Sequence, residues 1–285
     1  MAADLGNAGS LESRLDRHRA VAAALTGLDD DELATRVDTA TPLGVGIGGR
    51  TARLDVAGVP VFVKRIPLTD LERRPGHLGS TANLFGLPTC YQYGVGSTGF
   101  GAWRELATHH TTTQWVRSGV SARFPLLHHW RVLPSPPAAP PDFGDWDGDQ
   151  AVARRLAAIE AATGLRLYLS DFGLALDGTF ALSNAETAFL DLHRDWDRWD
   201  TRRYLVNWLC HRLAPETGRR ALIRDGGPGL PAWARAVVRR YGPTVTLLND
   251  FYDRLLDGPA TARYPAAELL TAGREPTPAV SPPRR

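Results

Sequence analysis

Among the 33 basic residues of the chain there is one lysine, Lys64; every other is an arginine. Cysteine is nearly absent too. Cys90 and Cys210 lie far apart and make neither a disulfide framework nor a metal site by themselves, so a reducing, cytoplasmic setting is expected. No run of eighteen apolar residues occurs, and residues 1–10 lack a basic segment followed by an apolar stretch. That argues against a membrane span and a secretory signal. Nor is there an excess of one charge: the formal net charge is +2, without a basic block, so neither nucleic acid nor a membrane is expected as a partner. What is present is an ordinary globular composition, 43% hydrophobic and 22% charged over 285 residues, enough for one large domain or two small lobes.

The order of patterns predicts an α+β chain. Residues 1–40 form a helical extension: Val21, Ala24, Leu25, Leu28 and Leu33 follow helical spacing over 20–37, with Asp29-Asp30-Asp31 as an internal start signal, so two short helices are expected. Residues 41–133 turn to strands. A glycine-rich turn is followed by Thr51 to Val56 and Val59 to Arg65, joined by Ala57-Gly58, a weaker hairpin signal than Asn-Gly. Residues 67–100 read as an irregular insertion, 102–117 as a helix and 124–133 as a strand. Residues 134–150, with five prolines and four aspartates, read as a linker. Within 151–256 a helix is expected at 151–162, a short strand at 165–169, and helices over 183–256 broken around 225–231. The Pro-, Ala- and Arg-rich 257–285 is expected to fray.

Three motifs carry chemistry. Gly44-Val45-Gly46-Ile47-Gly48-Gly49 fits G-x-G-x-x-G, a pattern that in dinucleotide-binding folds must lie between a strand and a helix. Here Thr51 to Val56 alternates as a strand and leads into another strand, which suits a glycine flap over phosphates instead. Lys64 follows Gly49 by fifteen positions, after Val61-Phe62-Val63, a compact ammonium placed on a rigid strand. Asp171-Phe172-Gly173 follows the apolar Leu167-Tyr168-Leu169 and precedes Leu174-Ala175. Glu105, in Trp103-Arg104-Glu105-Leu106, is the best candidate to pair with Lys64, against the alternative of a solvated helix glutamate.

These residues resemble the protein kinase superfamily, and more narrowly a group of bacterial serine/threonine-kinase-like proteins. The likeness runs through Val61 to Asp70, Gly101 to Ala107, Phe124 to Pro134, Leu167 to Leu176 and Leu205 to Trp208. It implies a two-lobed fold with a β-rich N-lobe over 41–133 and a shortened helical C-lobe over 151–256. It also implies ATP and magnesium as cofactors, with Gly44, Gly46, Gly49, Lys64 and Asp171 on the nucleotide, Asp171 on the metal, and Lys64, Glu105 and Asp171 as the catalytic set.

The departure from that pattern is large. Only residues 106–170 separate Glu105 from Asp171, and no histidine there is followed two positions on by aspartate, so an H-x-D-x-x-x-x-N catalytic loop is missing. His193-Arg194-Asp195 lies downstream and has Asp200, not asparagine, five residues beyond Asp195. Ala214-Pro215-Glu216 reads as a helix end. Asp145 to Asp149 fails the EF-hand pattern, since Gln150 and Leu156 stand where Gly and Glu are needed. His109-His110 and His128-His129 lack zinc-helix spacing. The expectation is therefore a degenerate kinase-like protein, a pseudokinase that binds nucleotide weakly and acts through a protein partner. The alternatives are an active kinase with Asp195 or Asp197 as base, and a helical interaction protein with decayed motifs.

Overall fold

A computed structural model describes residues 10–46, 49–95, 97–134 and 174–273. It is α+β, with one three-stranded antiparallel sheet and eight α-helices among the described residues. The chain divides into two compact units, residues 1–187 and 188–285. None of the described helices is long and apolar enough to cross a membrane.

In the first unit, α1 (Leu11–Thr26) starts at Ser10, whose hydroxyl accepts from the Ser13 amide, and α2 (Asp30–Asp38) starts at a capping box formed by Asp29 and Glu32. Three strands follow in the order β1 (Thr41–Gly46), β2 (Gly49–Val56) and β3 (Val59–Arg65), so β1 and β3 are both sheet edges. The start of the expected glycine-rich turn, from Leu43 to Gly46, instead belongs to strand β1, which has a bulge between Pro42 and Gly44. Its composition hides it, because proline and glycine are depleted in strands and tolerated at edges and bulges.

β2 and β3 meet through Ala57 and Gly58, with φ of 51° and 74°. Both central residues of a type I′ turn need positive φ, which suits Gly58 and strains Ala57. Side chains alternate across the sheet. Ala52, Val56, Val61 and Val63 pack on one face against Val21 and Leu25 of α1 and Leu33 and Val37 of α2.

Residues 67–100 are irregular, with two 3₁₀ turns at Pro75–His77 and Thr89–Tyr93, and α3 spans Ala102–Arg117. Residues 124–133 are irregular and belong to no sheet, which corrects the expected strand. Their apolar side chains split between two cores, Leu127 and Val132 in one and Leu133 in the other, and the Leu127 amide donates to Thr113 Oγ1 on α3. Anchoring to side chains takes the place of a ladder. The expected helix at 151–162, the strand at 165–169, nearly all of the linker and Asp171 itself lie outside the described residues.

The second unit is helical: most of α4 (Asn184–Leu192, which begins in the first unit), then α5 (Trp196–Leu213), α6 (Arg219–Arg224), α7 (Ala232–Asp257) and α8 (Ala266–Ala272). Val206 and Cys210 of α5, Leu222 and Ile223 of α6, and Val238 and Val245 of α7 form its core. Asn207 and Asn249 exchange amide hydrogen bonds of 2.9 and 3.1 Å between α5 and α7. The tail expected to fray from Asp257 instead forms α8, held by fully buried Leu269; a Cβ at Gly273 would overlap the Trp199 ring.

Relieving the strained turn should stabilise the hairpin: Ala57→Gly is expected to add about 1 kcal/mol in urea unfolding. Unchanged or lower stability would show that the turn carries no strain.

A second expectation comes from α1, where His18 Nδ1 lies 3.1 Å from His128 Nδ1, so one ring donates and the other accepts. Burial, then His128, Arg117, Arg19 and Arg14, lower the His18 pKa from 6.5 to about 4. The folded chain therefore binds fewer protons than the unfolded one, and stability falls as pH drops from about 6.5 toward 4. In His18→Gln the loss of melting temperature across that window should be smaller than in the wild type. Parallel curves would refute the assignment.

Candidate functional site

Lys64 is the sixth residue of β3 and points to the sheet face opposite Val61 and Val63. Thr51 lies opposite Lys64 on one side and opposite Gly44 on the other, so Gly44, Thr51 and Lys64 form one row across the sheet. Gly46 and Gly49 face one another at the β1–β2 turn and by alternation share the face of that row. The lysine thus stands on a face where Thr51 of β2 separates it from the glycines of β1.

On that face Lys64 Nζ lies 2.6 Å from Glu105 Oε1. Both residues are buried, 6% and 3% exposed. The sequence left Glu105 open between partner and solvated helix residue; it is a partner. A glutamate in the first turn of α3 also complements the helix dipole.

The rest of that first turn is held as firmly. Gly101 precedes α3 with φ 118°, and a Cβ there would fall 2.7 Å from Glu72 Oε1, so close approach and backbone conformation both require glycine. The Glu72 carboxylate accepts from the Ala102 amide through Oε1. Through Oε2 it accepts from the amide and hydroxyl of Thr69. The Trp103 indole donates to the Glu72 carbonyl at 3.0 Å.

Arg104, 1% exposed, lies 2.7 Å from Glu186 Oε1. That contact is ionic and not aligned as a hydrogen bond. The guanidinium gains further from Nε donating to the Thr81 carbonyl and from the rings of Phe100 and Phe180, 5.2 and 5.8 Å from its centre. Glu186 is in turn fixed by Ser183, whose amide and hydroxyl both donate to Oε2. Three buried glutamates, Glu72, Glu105 and Glu186, therefore converge on one turn of helix.

Sequence reasoning found Glu105 and missed the other two. A signal exists for them: Thr69-Asp70-Leu71-Glu72 and Ser183-Asn184-Ala185-Glu186 are both [ST]-x-x-E, the spacing that lets each side chain cap the other's backbone. Nothing marks Arg104 among so many arginines.

Of the remaining predicted residues, Asp171 lies outside the described part. Leu174, three positions on, packs against Gly94, and the Ala181 amide donates to Thr81 Oγ1, so the chain after Asp171 joins the 67–100 segment of the first unit. Asp195 stands at the N-cap position of α5 without a side-chain capping bond and Asp197 lies in its first turn, both in the second unit. His193 is buried and stacked between Phe189 and Tyr264 at 3.8 and 4.1 Å. Among the described residues no three His, Cys, Asp or Glu side chains cluster as metal ligands. The arrangement offers one compact cation on a rigid strand, held by a carboxylate, on a face shared with the glycines of β1. No family model, curated protein or solved structure matches the chain.

Lys64→Met removes the ammonium beside a buried carboxylate, and Glu105→Gln does the reverse. Each is expected to destabilise the chain by about 3–5 kcal/mol in urea unfolding, whereas Lys64→Met combined with Glu105→Leu should recover most of that loss. Additive losses in the double variant would show that the two groups are not coupled.

Proposed function

We propose that the chain is a degenerate protein-kinase-like protein whose first unit holds ATP weakly and which transfers little or no phosphate. The buried Lys64–Glu105 pair carries this reading. It joins the strand after a glycine-bearing hairpin to the next long helix, and puts the chain's one lysine on the open glycine face. A lysine fixed by a helix glutamate is positioned to meet the α- and β-phosphates. Arginine would fill that place poorly, since its planar fork is larger and directs its donors differently.

On this reading Gly44, Gly46 and Gly49 supply backbone above the phosphates, Lys64 neutralises them, Glu105 positions Lys64, and Asp171 holds magnesium. Magnesium, if bound, would be held by Asp171 and would offset phosphate charge; Lys64 is the contribution of the described residues to the same end. The sequence between Glu105 and Asp171 lacks the aspartate that would orient and deprotonate an acceptor hydroxyl, and positioning supplies most of the rate in phosphoryl transfer. Binding without efficient turnover follows.

Action through a protein partner is favoured by an apolar stripe on α5, where Tyr204, Leu205 and Trp208 are exposed.

Thermal-shift titration with ATP and magnesium should raise the melting temperature of the wild type. It should leave that of the Lys64→Met/Glu105→Leu double variant unmoved, and no label should pass from γ-labelled ATP to protein. Equal shifts in the two proteins, or none in the wild type, would remove the nucleotide reading. Vigorous transfer abolished by Lys64→Ala would replace it with an active kinase.

A further inference from the structure

Beside β3 lies a cavity of about 310 Å³, lined by residues of α1, α2 and β3, by His109 of α3 and by residues 125–129. Its apolar wall includes Leu25, Leu33, Val37 and Val63, with Leu126 from the 124–133 segment. The polar part of the lining is cationic or imidazole in character: Arg14, Arg17, His109, His128 and His129. No aspartate or glutamate among the described residues lines it.

The charges there have no counter-ion among the described residues. Arg14 donates to the carbonyls of Ala122 and Phe124, which satisfies its hydrogens and leaves its charge uncompensated. Arg17, exposed on the solvent side, donates to the Ser13 hydroxyl at 2.8 Å. His129 Nε2 is buried with no hydrogen-bond partner. Burial and Arg131 hold its pKa below 6.5, so at neutral pH it brings a hydrogen bond and not a further charge. A buried polar atom without a partner is costly, and a pair of arginines over an apolar hollow attracts a negative head group.

We infer that this cavity binds an amphipathic monocarboxylate, its apolar body against Leu25, Leu33, Val37 and Val63 and its carboxylate between Arg17 and His129. The size suits a small occupant: at roughly 30 Å³ for each water- or methylene-sized group, the volume holds about ten such groups, a medium-length acyl chain. Cavities of this size with apolar walls and a few polar anchors are the usual form of small-molecule sites. The inference does not rest on the nucleotide reading, because Lys64 and Glu105 take no part in it.

The test is calorimetric titration of the full chain with decanoate, set against 1-decanol, which has the same chain length without the charge. Decanoate is expected to bind one per chain and at least tenfold more tightly than decanol. Arg17→Gln changes an exposed side chain and should weaken decanoate about tenfold while leaving decanol unchanged. Leu126→Trp, which fills the hollow, should abolish both. The Lys64→Met/Glu105→Leu variant should bind decanoate as the wild type does, so failure of the nucleotide site and failure of this one give different results. Absence of decanoate binding, equal affinity for decanol, or full affinity in Arg17→Gln would each overturn the proposal.

Discussion

Two opposite charges, Lys64 and Glu105, are withdrawn from water into one unit of this protein, and the arrangement around them follows from that fact. Taking an ammonium and a carboxylate out of water costs several kcal/mol for each ion, and their attraction returns that only with good geometry and further hydrogen bonds. A leucine and a methionine would fill the same space at no such cost. The pair is therefore weak support for stability by itself and makes sense as a means of fixing where a lysine stands. The surrounding residues are built for that fixing. Glu72 holds the start of α3 through the Ala102 amide, the Trp103 indole is tied to the Glu72 backbone, and Arg104 is tied to Glu186. A helix anchored at every residue of its first turn cannot rotate without breaking several buried contacts, so Glu105 has one position available to it.

The sheet turns this rigidity into two different surfaces. Alternation along β3 sends Val61 and Val63 to the side covered by α1 and α2 and sends Phe62 and Lys64 to the other, where Phe62 is half exposed. The row from Lys64 through Thr51 ends at Gly44, so the polar face loses side chains as it approaches the glycine turn. Polyphosphate is the proposed occupant because it needs close backbone approach and a point cation together, and this face brings the two within one row. The apolar face is closed by helices except at the β3 edge. Pro60 lies on that edge, where it can neither donate a backbone hydrogen bond nor invite a further strand.

Much of the first unit was legible in residue order. The hairpin of β2 and β3 is stated by alternation of Val, Phe and Lys around Ala57-Gly58, and α3 by its length and pattern from 102 to 117. The lysine of the candidate site announced itself by being alone. What stayed hidden has physical reasons. β1 is made of residues that disfavour strands and exists because β2 offers it a partner. Residues 124–133 read as a strand in the sequence, yet their apolar groups are claimed by two separate cores, a tertiary demand that periodicity does not record. Glu72 and Glu186 occur in sequence contexts that signal helix starts, and only the fold reveals that both carboxylates also reach α3. The last helix was hidden by composition: prolines and alanines suggested a fraying tail, while a single leucine, Leu269, and the contact of Gly273 with Trp199 hold it in place.

α3 is the element that both faces share. Glu105 and His109 are four residues apart, one turn along the same helix, the first paired with Lys64 and the second lining the cavity beside β3. A rotation of α3 large enough to separate Glu105 from Lys64 would swing His109 against the cavity wall. The anchors at Gly101, Ala102, Trp103 and Arg104 resist that rotation at one end of the helix. At its far end Thr113 holds the Leu127 amide, and so the segment that carries His128 and His129. The placement of the lysine and the shape of the cavity are thus set by one rigid rod, and an occupant of either face would meet a partner surface already formed.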